Sequence, residues 1–157
     1  MTVEGEFTPR YTVYLDNKLR GGRVGYEVVT PLRLRGSTSH VLVNRGWVEA
    51  IRDVPTPQGE LRIEGLEFAR LPRVLELGKG GGKVRQTLDI DAFAAETGLK
   101  LEPRVIEQHS ATEDGLARDW PPRGTAPEKH QAYALQWYSL AALAVVLLVV
   151  LSIRRRE

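Results

Sequence analysis

The side chains best suited to chemistry lie at the start of the C-terminal apolar stretch. His130 is followed at helical spacing by Tyr133 (i+3) and Trp137 (i+7), so the three share one helix face. An imidazole beside aromatic rings is suited to a flat, lipophilic macrocycle that carries a metal ion. The alternative is an interfacial histidine that only suits the headgroup zone of a membrane. The spacing by itself leaves both interpretations open.

A second polar motif, Asn44-Arg45-Gly46-Trp47, lies within an otherwise apolar strand. The structural interpretation is that Trp47 fills the core and Arg45 pairs with an acid. The functional interpretation is that Arg45 meets an acidic group of a ligand or of a partner protein. Gly46 inside a strand predicts a bulge or a close backbone approach.

Motifs for catalysis and nucleotide binding are missing. The chain has no cysteine, and its three histidines, His40, His109 and His130, lack the spacing of metal ligands. The glycine-rich run that ends at Lys83 resembles a phosphate-binding loop, but Val84 stands where that loop requires Ser or Thr. We therefore expect a mobile hairpin loop at 78–83 and a protein that is not an enzyme.

The charge distribution argues against nucleic acid as a partner. The chain has 22 Lys+Arg and 20 Asp+Glu. Three of the arginines (154–156) and Glu157 follow the apolar stretch, which leaves 22 − 3 = 19 basic and 20 − 1 = 19 acidic residues. A nucleic-acid binder would carry a basic stripe on its folded part.

The apolar stretch itself predicts a transmembrane helix. Residues 134–153 contain no charged side chain and would form about 30 Å of helix, which matches the hydrocarbon thickness of a bilayer. Aromatic residues precede the stretch and three arginines follow it. The positive-inside rule then places the tail in the cytoplasm and the domain outside. The competing interpretations are a tail-anchored protein with a cytoplasmic domain, and a buried core helix.

The rest of the chain is predicted to be mainly β with one short helix, as a small barrel or sandwich of the α+β type. A strand-like segment begins almost at Met1, and further strands are predicted at 11–15, 24–34, 40–48, 60–68 and 101–108. The turn signal Asp16-Asn17 ends the first of these. A helix is predicted over 89–97, capped by Asp89 or Asp91 and ended by Gly98.

The predicted domain organisation follows from this pattern. It comprises a β-rich extramembrane domain (1–115), a linker rich in Pro and Gly (116–130), the transmembrane helix (131–153) and a basic cytoplasmic tail (154–157).

Three blocks of the sequence, at 25–32, 41–48 and 129–138, resemble the signature blocks of the surfeit locus protein 1 family. The resemblance implies a membrane-bound assembly factor for haem-copper cytochrome c oxidase. Such factors reside in the bacterial plasma membrane or the mitochondrial inner membrane, with the domain in the periplasm or intermembrane space. The family normally has a transmembrane helix at each end, and this chain shows only the second.

The resemblance also implies a cofactor and partners. It identifies His130 as a ligand of the iron of haem a, with Tyr133 and Trp137 beside it and Arg45 facing a haem propionate or an acid of the oxidase. The implied partners are the bilayer, oxidase subunit I, and proteins of haem a biosynthesis or oxidase assembly. The factor would assist haem insertion into subunit I. The alternative is a haem-free scaffold that stabilises an assembly intermediate.

Overall fold

The computed structural model describes residues 1–69, 82–120, 136–145 and 147. The chain divides into two compact units, Met1–Asp119 and Trp120–Glu157. The first unit extends four residues beyond the predicted domain end at 115. We call this first unit the domain.

The described part of the domain contains seven strands and one α-helix, which confirms the prediction of a mainly β domain with a short helix. In chain order the elements are β1 (Thr2–Phe7), β2 (Val13–Arg20), β3 (Arg23–Leu34), β4 (His40–Val48), β5 (Leu61–Phe68), β6 (Val84–Arg85), α1 (Ile90–Thr97) and β7 (Leu101–Gln108). A 3-10 turn at Pro9–Tyr11 separates β1 from β2.

Five of the strands close into a ring. The sheet order is β1-β5-β7-β4-β3-β2-β6, and β1 also pairs with β3, with Gly5 opposite Leu34. Strand β3 makes this closure because it is twelve residues long: its first part pairs with β2 and its end with β1. The sheet is therefore a barrel rather than a sandwich, with β2 and β6 extending it beyond β3.

Three apolar clusters are buried in the described domain, and two of them contain the ring strands and helix α1. The cluster in the ring draws on all five ring strands: Val3, Phe7, Leu32, Val41, Val43, Ile63 and Ile106. The second cluster packs α1 onto β2, β3, β4 and β7 through Phe93, which is 2% exposed. Alternate residues of the strands serve the two clusters, as the two-residue period of a strand requires.

Helix α1 has the caps that its sequence predicts. The carboxylate of Asp89 accepts hydrogen bonds from the backbone N–H groups of Asp91 and Ala92. Gly98 ends the helix in the left-handed conformation, at φ 73°. Both features satisfy backbone groups that the helix ends would otherwise leave unpaired.

The predicted turn at Asp16-Asn17 is wrong, because the chain continues as β2 to Arg20. Asn17 has φ 59°, and the β2–β3 register shifts between Leu15 and Lys18. These residues therefore form a bulge within the strand. Asparagine tolerates the left-handed conformation in bulges as well as in turns, so its presence alone does not distinguish the two.

The second unit is described only at 136–145 and 147, where the chain is helical and the side chains are exposed. Within the described part of the chain, no helix has the length and apolar character needed to cross a bilayer. Much of the transmembrane segment predicted at 131–153 lies outside the described residues, as does most of the loop predicted at 78–83. Both stay predictions.

Candidate functional site

A β-bulge sets the geometry of the Asn44-Arg45-Gly46-Trp47 motif. Val29 pairs with Asn44 and Val28 with Gly46, so Arg45 is the extra residue in β4. Regular alternation would put Arg45 and Trp47 on the same face of the strand. The bulge breaks the alternation between Arg45 and Trp47, and the two side chains make separate sets of contacts. The bulge predicted from Gly46 is thus confirmed.

Gly46 is required by both conformation and space. Its φ is +144°, which side chains rarely adopt. A Cβ atom there would lie 2.7 Å from the carbonyl oxygen of Ala117 and 2.8 Å from Cβ of Leu116. This approach is close because Trp47 and Ala117 exchange two backbone hydrogen bonds, of 2.8 and 2.9 Å. Residues 116–117 are therefore attached to the edge of β4.

The guanidinium of Arg45 is fully buried and held by its own chain. It donates to Oδ2 of Asp114 at 2.9 Å, to Oγ1 of Thr56 at 2.9 Å and to the carbonyl oxygen of Pro55 at 2.7 Å. Its carbon Cζ lies 5.1 Å from the centre of the Phe7 ring, within range for a cation–π contact. The interpretation that Arg45 pairs with an acid is confirmed.

Asp114 serves two arginines at once. Its Oδ2 atom also accepts from Arg118 at 2.6 Å, and its Oδ1 atom accepts from the backbone N–H of Leu116 at 3.2 Å. Burial lowers the pKa of Arg45, and Asp114 opposes that shift through its charge and its hydrogen bond. We call Arg45, Asp114 and Arg118 the arginine clamp. It joins β4 to the segment that follows β7.

Trp47 packs on the opposite side of the bulge. It is 6% exposed, and its Nε1 donates to the carbonyl oxygen of Lys18 at 2.8 Å. A Cβ atom at Gly25 would lie 2.5 Å from Cζ2 of the indole ring, so the ring occupies the space that a side chain at 25 would need. Trp47 thereby links β4 to the β2–β3 hairpin, and the interpretation that it fills the core is confirmed.

Asn44 begins a chain of polar contacts that leads to the end of the domain. Its Nδ2 donates to Glu27 at 2.9 Å. Glu27 lies 3.5 Å from the guanidinium of Arg20, which in turn donates to the carbonyl oxygen of Asp119. Asn44 is thus linked through Glu27 and Arg20 to Asp119, where the domain ends.

The four predicted haem-contacting residues fall in different parts of the chain. Arg45 lies in the domain, and its guanidinium is committed to the arginine clamp. Trp137 lies in the second unit and is 69% exposed. His130 and Tyr133 lie outside the described residues. The haem roles of all four stay predictions. Of the two described residues, Arg45 is buried and Trp137 is exposed.

Sequence reasoning missed Asp114 and Arg118, which complete the clamp. Asp114 is 69 positions from Arg45, and it lies in a stretch where acids and turn residues are common. Leu116 carried the only signal in the sequence, as an apolar residue within a polar stretch, and it is buried at 7% exposure. Spacing cannot reveal a partner that the fold brings from a distant segment of the chain.

No cluster that could ligate a metal, meaning three or more His, Cys, Asp or Glu side chains, occurs among the described residues.

The fold and the site define a small β-barrel domain whose buried polar groups hold the segment at its own C-terminal end. A family model described as the SURF1 family, the surfeit locus protein 1 family, matches residues 1–142. The chain belongs to this family.

A curated relative supports the assignment. The chain is 25% identical over 142 residues to a SURF1-like protein of Monosiga brevicollis, an alignment that covers 81% of this chain and 52% of that protein. The chain thus spans about half the length of the curated relative that it matches.

Proposed function

We propose that this chain acts in the assembly of haem-copper cytochrome c oxidase, as a factor without catalytic activity. The family match over residues 1–142 carries the proposal, because it includes the whole barrel and reaches past Trp137. The factor works on oxidase subunit I together with proteins of haem a biosynthesis or oxidase assembly.

The chain is anchored in a membrane through its C-terminal apolar stretch. Residues 134–153 lack charged side chains, and three arginines follow them. A charge-free stretch of this length is stable across the hydrocarbon layer of a bilayer. The domain then faces the periplasm or the intermembrane space, and the arginines lie on the other side. The membrane is the bacterial plasma membrane or the mitochondrial inner membrane.

The factor binds haem a, with His130 as the ligand of the haem iron. The exposed indole of Trp137 suits this role, because an aromatic face at the membrane surface can pack against an apolar macrocycle. Bound haem would be the cargo that the factor delivers to subunit I. The guanidinium of Arg45 is fully buried and already donates to Asp114, Thr56 and Pro55, so we assign it no contact with a haem propionate.

A haem-free scaffold is the second candidate function. The observation that favours it is the clamp, which directs the buried charges of the described domain toward the chain itself rather than toward a ligand. In this alternative the outer surface of the barrel binds an assembly intermediate. Both candidates share the membrane anchor and the oxidase as the target, so one experiment must test the target and another the haem.

The target is tested in a cell that lacks its own factor of this family. Expression of the full chain should raise the level of assembled oxidase, measured by the visible absorption of its haem a. The matched control is Asp114→Asn, which should fold poorly and restore less. Unchanged oxidase, with the folded chain present in the membrane, would contradict the assembly role.

The haem is tested by titration of the detergent-solubilised protein, followed by visible absorption. We expect saturable binding of about one haem per chain, lost in His130→Ala and weakened in Trp137→Ala. Leu143→Ala is the matched control, because Leu143 is exposed on the same described helix. Equal binding by the wild type and His130→Ala would remove His130 from the site. No saturable binding by the folded wild type would favour the scaffold.

A further inference from the structure

The arginine clamp contains more positive than negative charge. Arg45 and Arg118 share the single carboxylate of Asp114, at 2.9 and 2.6 Å. Guanidiniums stay protonated in proteins, so both positive charges are permanent. The side chains of Arg45 and Asp114 are each 1% exposed, and that of Arg118 is 11% exposed. Water therefore screens the excess charge poorly.

Neighbouring groups of the described domain supply no second negative charge. Burial lowers the pKa of Arg45, and three other groups also shift it: Asp114, Arg118 and Tyr14. Burial and the charge of Asp53 raise the pKa of Tyr14 against the opposing charge of Arg45, so the phenol is neutral at physiological pH. Asp53 acts on Tyr14 but is not among the groups that shift Arg45. Two guanidiniums and one carboxylate leave a net charge of 2 − 1 = 1 within the described residues.

Each guanidinium also has an unused donor at the clamp. Nε of Arg45 and Nε of Arg118 are buried, and neither has a hydrogen-bond acceptor among the described residues. In both arginines the Nη2 atom donates to Oδ2 of Asp114. Nε and Nη2 belong to one planar group, so both unused donors lie close to that oxygen. Buried N–H groups without an acceptor are unfavourable and rare.

The surroundings limit the acceptor to a small anion. Arg45 is fully buried, which excludes a ligand with a large body. The approach is from Arg118, which keeps some exposure. Its bonds to the carbonyl oxygens of Thr112 and Leu116 are long, at 3.4 and 3.5 Å, so its guanidinium can move slightly. A water molecule would satisfy the two donors but would leave the excess charge uncompensated.

The geometry points to an anion site at the clamp: a small monovalent anion such as chloride accepts hydrogen bonds from Nε of Arg45 and Nε of Arg118. The ion balances the second guanidinium and stabilises the attachment of residues 114–118 to β4. It is a structural ion rather than a cargo. The site requires neither the membrane anchor nor haem, so its test is independent of the proposed function.

The site is tested by thermal unfolding of the full chain in detergent, in sodium chloride and in sodium gluconate. Gluconate is too large for a buried site, and equal ionic strength keeps the screening of surface ion pairs the same. We expect chloride to raise the melting temperature, with saturation, by about 3–6 °C. Arg118→Gln removes the excess charge and should abolish this rise. Arg33→Gln is the matched control, because Arg33 is an exposed arginine that pairs with Glu6, and it should keep the full rise.

Bromide locates the ion, because its anomalous scattering marks its position in crystals of the full chain. We expect a peak beside the Nε atoms of Arg45 and Arg118, and this measurement decides the matter if Arg118→Gln does not fold. An equal rise in the wild type and in folded Arg118→Gln would be a general salt effect and would overturn the site. No rise in the wild type, or bromide peaks only elsewhere, would mean that water or another part of the chain completes the clamp, and would overturn it as well.

Discussion

The apolar interior of the barrel and the arginine clamp lie side by side but use opposite chemistry. The interior is built from aliphatic residues and one phenylalanine, with a contribution from every ring strand. The clamp sets two guanidiniums on one carboxylate, all three nearly or fully removed from water. Phe7 belongs to both regions, since its ring packs in the interior and lies against Arg45.

The difference shows how each region responds to change. Apolar contacts are individually weak and additive, so the interior loses stability in proportion to the volume removed. The stability contributed by a buried charge depends on its partner, because a guanidinium that loses its carboxylate still bears the full desolvation penalty. The interior therefore stabilises the barrel gradually, whereas the clamp attaches residues 114–118 to β4 in an all-or-none manner.

The largest effect is expected from Asp114→Asn. The substitution keeps the shape of the side chain but leaves Arg45 and Arg118 without a counter-charge. We expect the free energy of unfolding to fall by about 3–5 kcal/mol, measured by urea denaturation of the full chain in detergent.

The double variant Arg45→Met with Asp114→Leu is the control for Asp114→Asn. It removes the charge together with its main partner, so it should lose clearly less stability than Asp114→Asn. A loss from Asp114→Asn below about 1 kcal/mol would place the clamp among surface ion pairs and remove the contrast with the interior.

A slightly smaller effect is expected from Gly46→Ala. The new Cβ atom would meet the carbonyl of Ala117 in a backbone conformation that alanine rarely adopts. Strain and overpacking together should cost about 2–4 kcal/mol, measured by the same denaturation.

Gly36→Ala separates the two causes, because Gly36 has φ +67° but nothing within 4 Å of its Cβ position. It should cost only about 1 kcal/mol. Equal losses at 36 and 46 would mean that the approach of residues 116–117 to β4 contributes nothing.

A graded effect is expected in the interior. Ile106 is fully buried in the ring cluster, and Ile106→Val removes one methylene group from it. The expected loss is about 0.5–1.5 kcal/mol. Leu66→Ala, at an exposed position, should change stability by less than about 0.5 kcal/mol. If Ile106→Val cost more than Asp114→Asn, the comparison between the two regions would be reversed.

The smallest effect concerns pH and His40, at the start of β4. Burial lowers the pKa of His40 from 6.5; the charge of Arg33 adds to this, and a hydrogen bond with the backbone of Thr38 opposes it. The unfolded chain therefore takes up the proton first as pH falls. Stability should be unaffected by His40 above pH 6.5 and should decrease below it, down to the lowered pKa.

His40→Gln isolates this contribution, because it removes the titration and leaves every other group in place. The wild type should lose stability more steeply than the variant between pH 6.5 and the lowered pKa. Parallel stability curves over that range would mean that His40 takes up its proton equally well in the folded chain.

Most features with a local cause were predicted correctly. The cap at Asp89 and the end at Gly98 were readable because a helix signals its ends within a few residues. The bulge at Gly46 was readable because glycine is unfavourable in a regular strand. The two-residue strand β6 was missed, since two residues show no period, and Asn17 was assigned to a turn instead of a bulge.

The family, the β-rich character, the position of α1 and the bulge at Gly46 are predictable from the sequence, because each depends on neighbouring residues or on whole blocks. Three features become visible only in the fold: Asp114 is the partner of Arg45, β1 closes the barrel onto β3, and residues 116–117 attach to β4. These contacts join residues far apart in the chain. Their free energy comes from burial and from backbone pairing that exist only after the barrel has closed, so no local spacing records them.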